Sequence, residues 1–169
     1  MKLDLQPLIH FMEHLPKNGD MELGILKCHL LIEELLLKEL KKCAKEPKFI
    51  EKMNPRFAQK VDLVKAFSDF NGYPWIWEAL KKLNKARNEL VHGLSAAEIF
   101  DRVEEFVTFV EKNTEPPKAE VLSLNFGRFH WAAFQVYNII SAHVHFDPAS
   151  IRTPTFLSSL KIKSTEQKE

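Results

Sequence analysis

The sequence predicts an all-α fold, a single-domain helical bundle of about five or six helices. Three observations lead there. Apolar residues recur at helical spacing through every long segment. The breaks between those segments are made of proline and glycine. No window shows the sustained alternation of a strand, and there is no internal repeat. With 169 residues the chain suits one domain with a sizeable core. The bundle is expected over residues 1–146, followed by a tail over 147–169.

Each element has a local reason. The first helix, about Asp4 to Leu15, is stopped by "PKNG". Asp20 is a natural N-cap for a long second helix that runs to about Lys45 and must end before Pro47. Asn54 and Pro55 read as the N-cap and first-turn proline of a third helix over about 56–69. "NGYP" breaks the chain there, and a fourth helix spans about Pro74 to His92, with Gly93 in the usual C-terminal position. Ser95 caps a fifth, "SAAEIFDRVEEFVTFVEKN", in which Glu98 completes a capping box. "TEPPKAE" is a linker. A sixth helix, about Gly127 to Val144, is rich in aromatic residues. From Asp147 the chain changes to "DPASIRTPTFLSSLKIKSTEQKE", the composition of a weakly ordered tail in which "TFLSSL" is the part suited to docking.

Composition narrows the function classes. The chain is 45% hydrophobic and 28% charged, ordinary for a globular domain. A formal net charge of +1 gives no general attraction to nucleic acid. No apolar run approaches the ~20 residues of a membrane span. "MKLDLQPLIHFMEH" lacks a signal-peptide layout, because acids and a histidine interrupt its apolar residues. Cys28 and Cys43 fall in one helix about 22 Å apart, too far for a disulfide within the chain, so a reducing cytoplasm is the expected compartment. Neither cysteine has neighbours at zinc spacing. No catalytic triad and no glycine-rich phosphate loop is visible, and no metal or cofactor is called for.

The helical wheels single out a few polar residues. On the second helix, Leu23, Leu26, Leu30, Leu37 and Leu40 form one apolar stripe, and Ile25, Cys28, Ile32, Leu35 and Leu36 extend it. Lys27, Glu34, Lys38, Lys41 and Lys42 share the wet edge. His29 and Glu33 fall inside the apolar arc. On the fourth helix, Ile76, Leu80, Leu83, Leu90, Val91 and Leu94 form the buried stripe, and Arg87 sits near its centre. Asn84 and Asn88 flank the stripe, Lys81, Lys82, Lys85 and Glu89 point outward, and His92 comes off the other edge on the last turn. A buried guanidinium keeps its charge and needs a partner. The economical pairing is Glu33 with Arg87, packing the second helix on the fourth. Two arrangements satisfy the pattern: a structural ion pair, or an Arg87 that faces a cleft or a dimer interface.

"RNELVHG" resembles the Arg-x4–6-His signature of HEPN domains (higher eukaryotes and prokaryotes nucleotide-binding). The polar residue that commonly follows the arginine is Asn88 here, and the motif closes a helix, as it does in that family. The acidic residue that the family often carries on an earlier long helix is matched by Glu33 in "HLLIEELLLKEL". The resemblance covers about Leu15 to Lys112. It implies a metal-independent endoribonuclease from a toxin or antiviral-defence setting. It also implies a homodimer in which each copy adds its Arg and His to one composite cleft. His92 would be the acid/base and Arg87 the clamp on the phosphoryl oxygens. Asn88 would bond phosphate or orient the histidine, and Glu33 would hold Arg87. RNA is the implied partner, with Lys81, Lys82 and Lys85 leading along the helix towards the motif and an antitoxin or regulatory protein as a further partner. Leu94 stands where one toxin branch has a modifiable tyrosine, which argues against that form of control. Other family members are catalytically silent interaction modules, regulators or assembly partners.

Two further patterns invite function. "HVHFD" (His143, His145, Asp147) resembles a metal cluster, but on a helix end its two histidines splay by about 200°, and helix-terminal histidines near the negative end of the dipole are expected instead. In "FGRFHWAAFQVYN" the helical period of Phe126, Phe129, Ala133 and Val136 predicts core packing. Trp131 and Phe134 remain as candidates for a protein interface.

Overall fold

The computed structural model describes residues 6–16, 20–70, 73–93, 95–116 and 127–145. It is an all-α helical bundle. In chain order the helices are α1 (Gln6–Glu13), α2 (Met21–Cys43), α3 (Pro47–Met53), α4 (Phe57–Phe67), α5 (Ile76–His92), α6 (Ala96–Asn113) and α7 (Arg128–Val144). Among the described residues no helix is long and apolar enough to cross a membrane. The tail from Asp147, Phe126, Leu94 and most of the linker after Pro116 lie outside the described residues.

Helix α2 is the centre of the bundle, packed against α3, α4, α5 and α7. Asp20 caps it as its side chain accepts from the Leu23 amide at 3.0 Å. Its buried arc carries Ile25, Cys28, Ile32, Leu35 and Leu36. Each such Ile or Leu contributes about 1.5–3 kcal/mol over exposure. The stripe Leu23, Leu26, Leu30, Leu37 turns the other way from the expectation: Leu23 and Leu30 are exposed, and Leu26 and Leu37 are half-buried. Both sides of α2 read as apolar on a wheel, and only the packed neighbours decide which is covered. Leu40 alone of that stripe enters the core.

The third predicted helix is two. Pro47 starts the short α3, and Asn54 ends it at φ 45°, its amide bonded to the carbonyls of Ile50 and Glu51. Asn54 therefore closes α3 instead of opening α4. Asparagine tolerates the left-handed region that few other side chains adopt, so Asn-Pro fits a helix end as well as a helix start. Arg56 holds the N-cap position of α4, with its amide bonded to Gln59 Oε1 at 2.8 Å. The Ser95–Glu98 capping box is not formed at α6, where Ser95 occupies the N-cap without a side-chain bond.

Helices α5 and α6 form the most extensive helix pair. Ala79 and Ala86 are completely buried, and small residues permit a close approach. Ile76, Leu80 and Leu83 are completely buried as the wheel predicts, but towards the C-terminus of α5 the buried arc shifts: Val91 is exposed, Leu90 half-buried, and Arg87 lies at the edge and is half-buried. On α7, Phe129, Ala133 and Val136 are buried as the period predicts. Phe134 also goes to the core, 5.6 Å from Phe11 between ring centroids, so it is no interface residue; Trp131 is half-buried beside it. Arg128 ties the start of α7 to Glu104 and Glu111 of α6.

Gly93 ends α5 in an extended conformation, φ −77° and ψ 148°. Its glycine identity is required by proximity, because a Cβ there would collide with the backbone carbonyl of Glu89, to which the Gly93 amide bonds. Gly93→Ala is expected to unwind the last turn beneath His92 and cost on the order of 1–2 kcal/mol. Urea denaturation checks this, and an unchanged midpoint would contradict the close approach.

Candidate functional site

The site is built where α2, α4 and α5 meet. Asn84, Arg87, Asn88 and His92 follow one flank of α5, at spacings that return them to one side every turn. Helix α2 presents His29 and Glu33, and the start of α4 presents Arg56, Phe57 and Ala58. These nine residues line one open cleft of about 540 Å³. The four predicted site residues Glu33, Arg87, Asn88 and His92 are thus brought to one cavity. Arg87 is half-buried, and Asn88 and His92 are exposed. Arg87 Nη1 donates to Asn88 Oδ1 at 3.1 Å.

The expected Glu33–Arg87 ion pair does not form. Lys60 of α4 takes the carboxylate, Nζ to Glu33 Oε1 at 2.7 Å. Burial explains the choice. Lys60 is 6% exposed, and an ammonium so enclosed has few sources of solvation other than a carboxylate. Arg87 faces the open cleft and keeps water. Lys60 was findable by the same wheel that found Arg87, since it lies between Phe57, Val61 and Val64 on the buried stripe of α4.

The floor of the cleft is a second polar group. His29 is buried, and its ring stacks on Phe57 at 4.0 Å between centroids. His29 Nε2 donates to Asn84 Oδ1 at 3.2 Å, and its Nδ1 lies 3.8 Å from Glu33. Burial holds the His29 imidazole below its ordinary range; Asn84 and Glu33 oppose the shift, and Arg87 and Lys60 add to it. His29 is therefore a neutral, fixed ring. With Glu33 committed to Lys60, the cleft is left with two guanidiniums, Arg87 and Arg56, facing an exposed imidazole. Arg56 went unnoticed in the sequence because it falls at a helix start, outside any wheel.

The lysines separate. Lys81 and Lys85 stand two turns before Asn88 and His92 on the same side of α5. Lys81 also lines a smaller cavity of about 90 Å³ that shares Phe57, Ala58 and Asn84 with the main cleft. Lys82 goes elsewhere: its ammonium sits 5.4 Å from the Phe109 ring centroid on α6 and 3.8 Å from Glu78. The contact with α6 draws it off the site.

A second cluster, unseen in the sequence, closes the far end of α2. Glu39 is buried, and its Oε1 accepts from Ser68 Oγ at 2.5 Å, His143 Nε2 at 2.9 Å and Cys43 Sγ at 3.5 Å. Serine, histidine and carboxylate meet, but the same His143 nitrogen touches both Glu39 and Ser68, so no proton relay can run through the ring. Burial and then the Glu39 charge push the Cys43 thiol up, which keeps it protonated and unreactive. The cluster fastens α2, α4 and α7 together. His143 thus spans to α2 instead of serving its own helix end, while His145 bonds the Ser141 carbonyl; Asp147 lies outside the described residues. Among the described residues no group of three or more His, Cys, Asp or Glu side chains is placed to hold a metal ion.

Comparison of the chain with protein-family models, with curated proteins and with solved structures finds no match.

Two outcomes follow from this geometry. Glu33→Ala strands the Lys60 ammonium and should cost on the order of 3 kcal/mol, whereas the double change Glu33→Leu with Lys60→Met should recover much of it. Arg87→Ala should cost less than about 1 kcal/mol, as for a side chain at an open edge. Equal losses for Glu33→Ala and Arg87→Ala in urea denaturation would restore the pairing expected from sequence. Acid also has a signed effect. The folded state holds His29 neutral, so below about pH 6.5 the unfolded chain binds the extra proton and stability falls. Burial pushes the Glu39 carboxyl up, but Ser68 and His143 outweigh it and the net shift is down, so a second loss follows as pH drops through the carboxylate range. Burial also holds His130 low, so melting temperature against pH should show the first step in the wild type and a smaller one in His29→Gln.

Proposed function

We propose that the protein is a metal-independent endoribonuclease of HEPN type, a toxin or antiviral-defence effector working as a dimer in a reducing cytoplasm. One observation carries this reading: Arg87, Asn88 and His92 open with Arg56 onto a single cleft of about 540 Å³ in which, among the described residues, the one carboxylate is already bound by Lys60. The cleft is therefore cationic at its working edge, as a phosphodiester requires.

The chemistry follows from the side chains. An RNA 2′-hydroxyl attacks the adjacent phosphorus when a base removes its proton, and an exposed histidine serves near neutral pH. The P–O5′ bond breaks, leaving a 2′,3′-cyclic phosphate and a 5′-hydroxyl that takes up a proton. His92 is the acid/base. Arg87 stabilises the charge that grows on the phosphoryl oxygens, since its planar fork matches them. Asn88 holds the Arg87 guanidinium through its Oδ1. Arg56 joins the reading as a second phosphate contact on the facing wall. Lys81 and Lys85 extend the cationic path, and Lys82 is left out of it. Glu33 acts at one remove, fixing Lys60 and the cleft wall. A second copy supplies the second histidine that an acid–base pair needs.

A silent interaction module on the same bundle, a regulator or assembly partner, is the other reading. The Glu33–Lys60 pair favours it, because it removes the carboxylate expected to orient Arg87.

The test uses the purified full chain, RNA and excess chelator, with end-group analysis of the products. Fragments ending in cyclic phosphate are expected, reduced by about 10²–10⁴ in His92→Ala and by about 10²–10³ in Arg87→Ala. The apparent RNA affinity should fall steeply with salt and fall uniformly across sequences in Lys81→Ala. Cleavage that survives His92→Ala, or none at any salt concentration, contradicts the catalytic reading.

A further inference from the structure

The uncovered side of α2 has a pattern of its own. Leu23, Leu30 and Leu37 recur every seven residues, with Leu26 between them, along one line of the helix. Leu30 is 58% exposed and Leu23 is 38% exposed, in a helix whose other side is sealed in the core. Seven-residue spacing keeps a seam facing a partner helix, whereas packing against the domain's own helices uses the opposite arc. Beyond Leu37 the face continues onto α3, which Lys41 of α2 holds through Glu51 and which carries exposed Phe49 and Met53.

The order of residues along this seam is self-complementary. A two-fold axis at Leu30, with the two helices antiparallel, sets Leu30 against its own copy and Leu23 against Leu37 of the second copy. On the wet rim it sets Lys27 close to Glu34 of the second copy, and the symmetry repeats that opposite-charge pair. A parallel pairing in register would put Lys27 and Glu34 of the second copy on the opposite flank of the seam, where the two charges cannot pair. We propose that this seam is where two copies of the chain associate, antiparallel about Leu30. An isologous contact of this kind is the commonest way for a chain to form a closed dimer.

The seam has a consequence for the cleft. His29 and Glu33 lie about a quarter turn from the leucines on α2. A two-fold axis perpendicular to both helices keeps the same flank of each on the same side. The two clefts then open next to one another on one surface, flanking the axis, so that both copies face one RNA strand as the shared acid–base pair requires. This last consequence rests on the function proposed above; the seam itself does not.

Mass in solution and cross-linking test the seam. Sedimentation or light scattering at micromolar concentration should give twice the chain mass, and Leu30→Glu should halve it. Because Leu30 is exposed within one chain, the variant should keep the helical content and melting behaviour of a folded monomer. In a Cys43→Ser background, Leu30→Cys should form an intermolecular disulfide on mild oxidation, since residues on the axis bring their Cα atoms within bridging distance. A wild-type monomer overturns the proposal. So does a dimer that persists in Leu30→Glu, or one in which Leu30→Cys fails to cross-link. Cleavage is read separately: a dimer without RNase activity overturns the functional reading and leaves the seam, whereas an active dimer that persists in Leu30→Glu overturns the seam and leaves the functional reading.

Discussion

The enclosed ammonium of Lys60 is the constraint on which the site depends. Helix α4 packs Phe57, Val61 and Val64 against α2, and the same stripe carries Lys60 inward. A charge so placed is tolerated only beside a carboxylate, and Glu33 is the one it meets. That pair sets α4 against α2 and fixes the wall of the cleft. It also decides the state of Arg87. With its expected partner committed elsewhere, Arg87 bonds Asn88 among the described residues and faces the cleft together with Arg56 and His92.

Helix α2 carries the rest of the organisation. Near its middle, His29 and Glu33 receive Asn84, Phe57 and Lys60. About two turns further on, Glu39 receives Ser68 and His143. Each cluster joins α2 to two other elements by directional bonds, which fixes rotation and register where apolar packing alone would allow slippage. Gly24 makes the same point near the N-terminus of α2, since a Cβ there would press on the ring of His130 from α7. The remaining face of α2, the leucine seam, has no such polar fixing among the described residues. It is the face on which a second copy would be registered by Lys27 and Glu34.

The all-α class, most helix positions and the convergence of Glu33, Arg87, Asn88 and His92 were legible in the sequence, because 3.6-residue periodicity says which side of a helix a residue occupies. Periodicity does not say which of two cations reaches a carboxylate first. Glu33 was correctly aimed inward, but its partner was decided by the packing of α4, where Lys60 is the more enclosed. Nor does a wheel choose between two apolar sides of one helix: Leu23, Leu26, Leu30 and Leu37 share an apolar arc with Ile25, Ile32 and Leu36, and only the latter three are sealed in the core. The Glu39 cluster joins residues 39, 68 and 143, a separation that no local pattern can report. Arg56 and Asn54 sit at helix ends, where Asn-Pro-Arg fits both a stop and a start.

A ribonuclease of this kind must engage an RNA phosphodiester at the Arg87–His92 edge of the cleft. The direct measurement is NMR of the His92 imidazole and the Arg87 and Arg56 guanidinium groups during titration with an RNA analogue lacking the attacking 2′-hydroxyl, which binds without being cleaved. These three side chains are expected to shift together, saturably and in a salt-dependent way, while buried His29 shifts less. Shifts confined to other surfaces, with His92 and Arg87 unmoved at saturation, would contradict the ribonuclease reading.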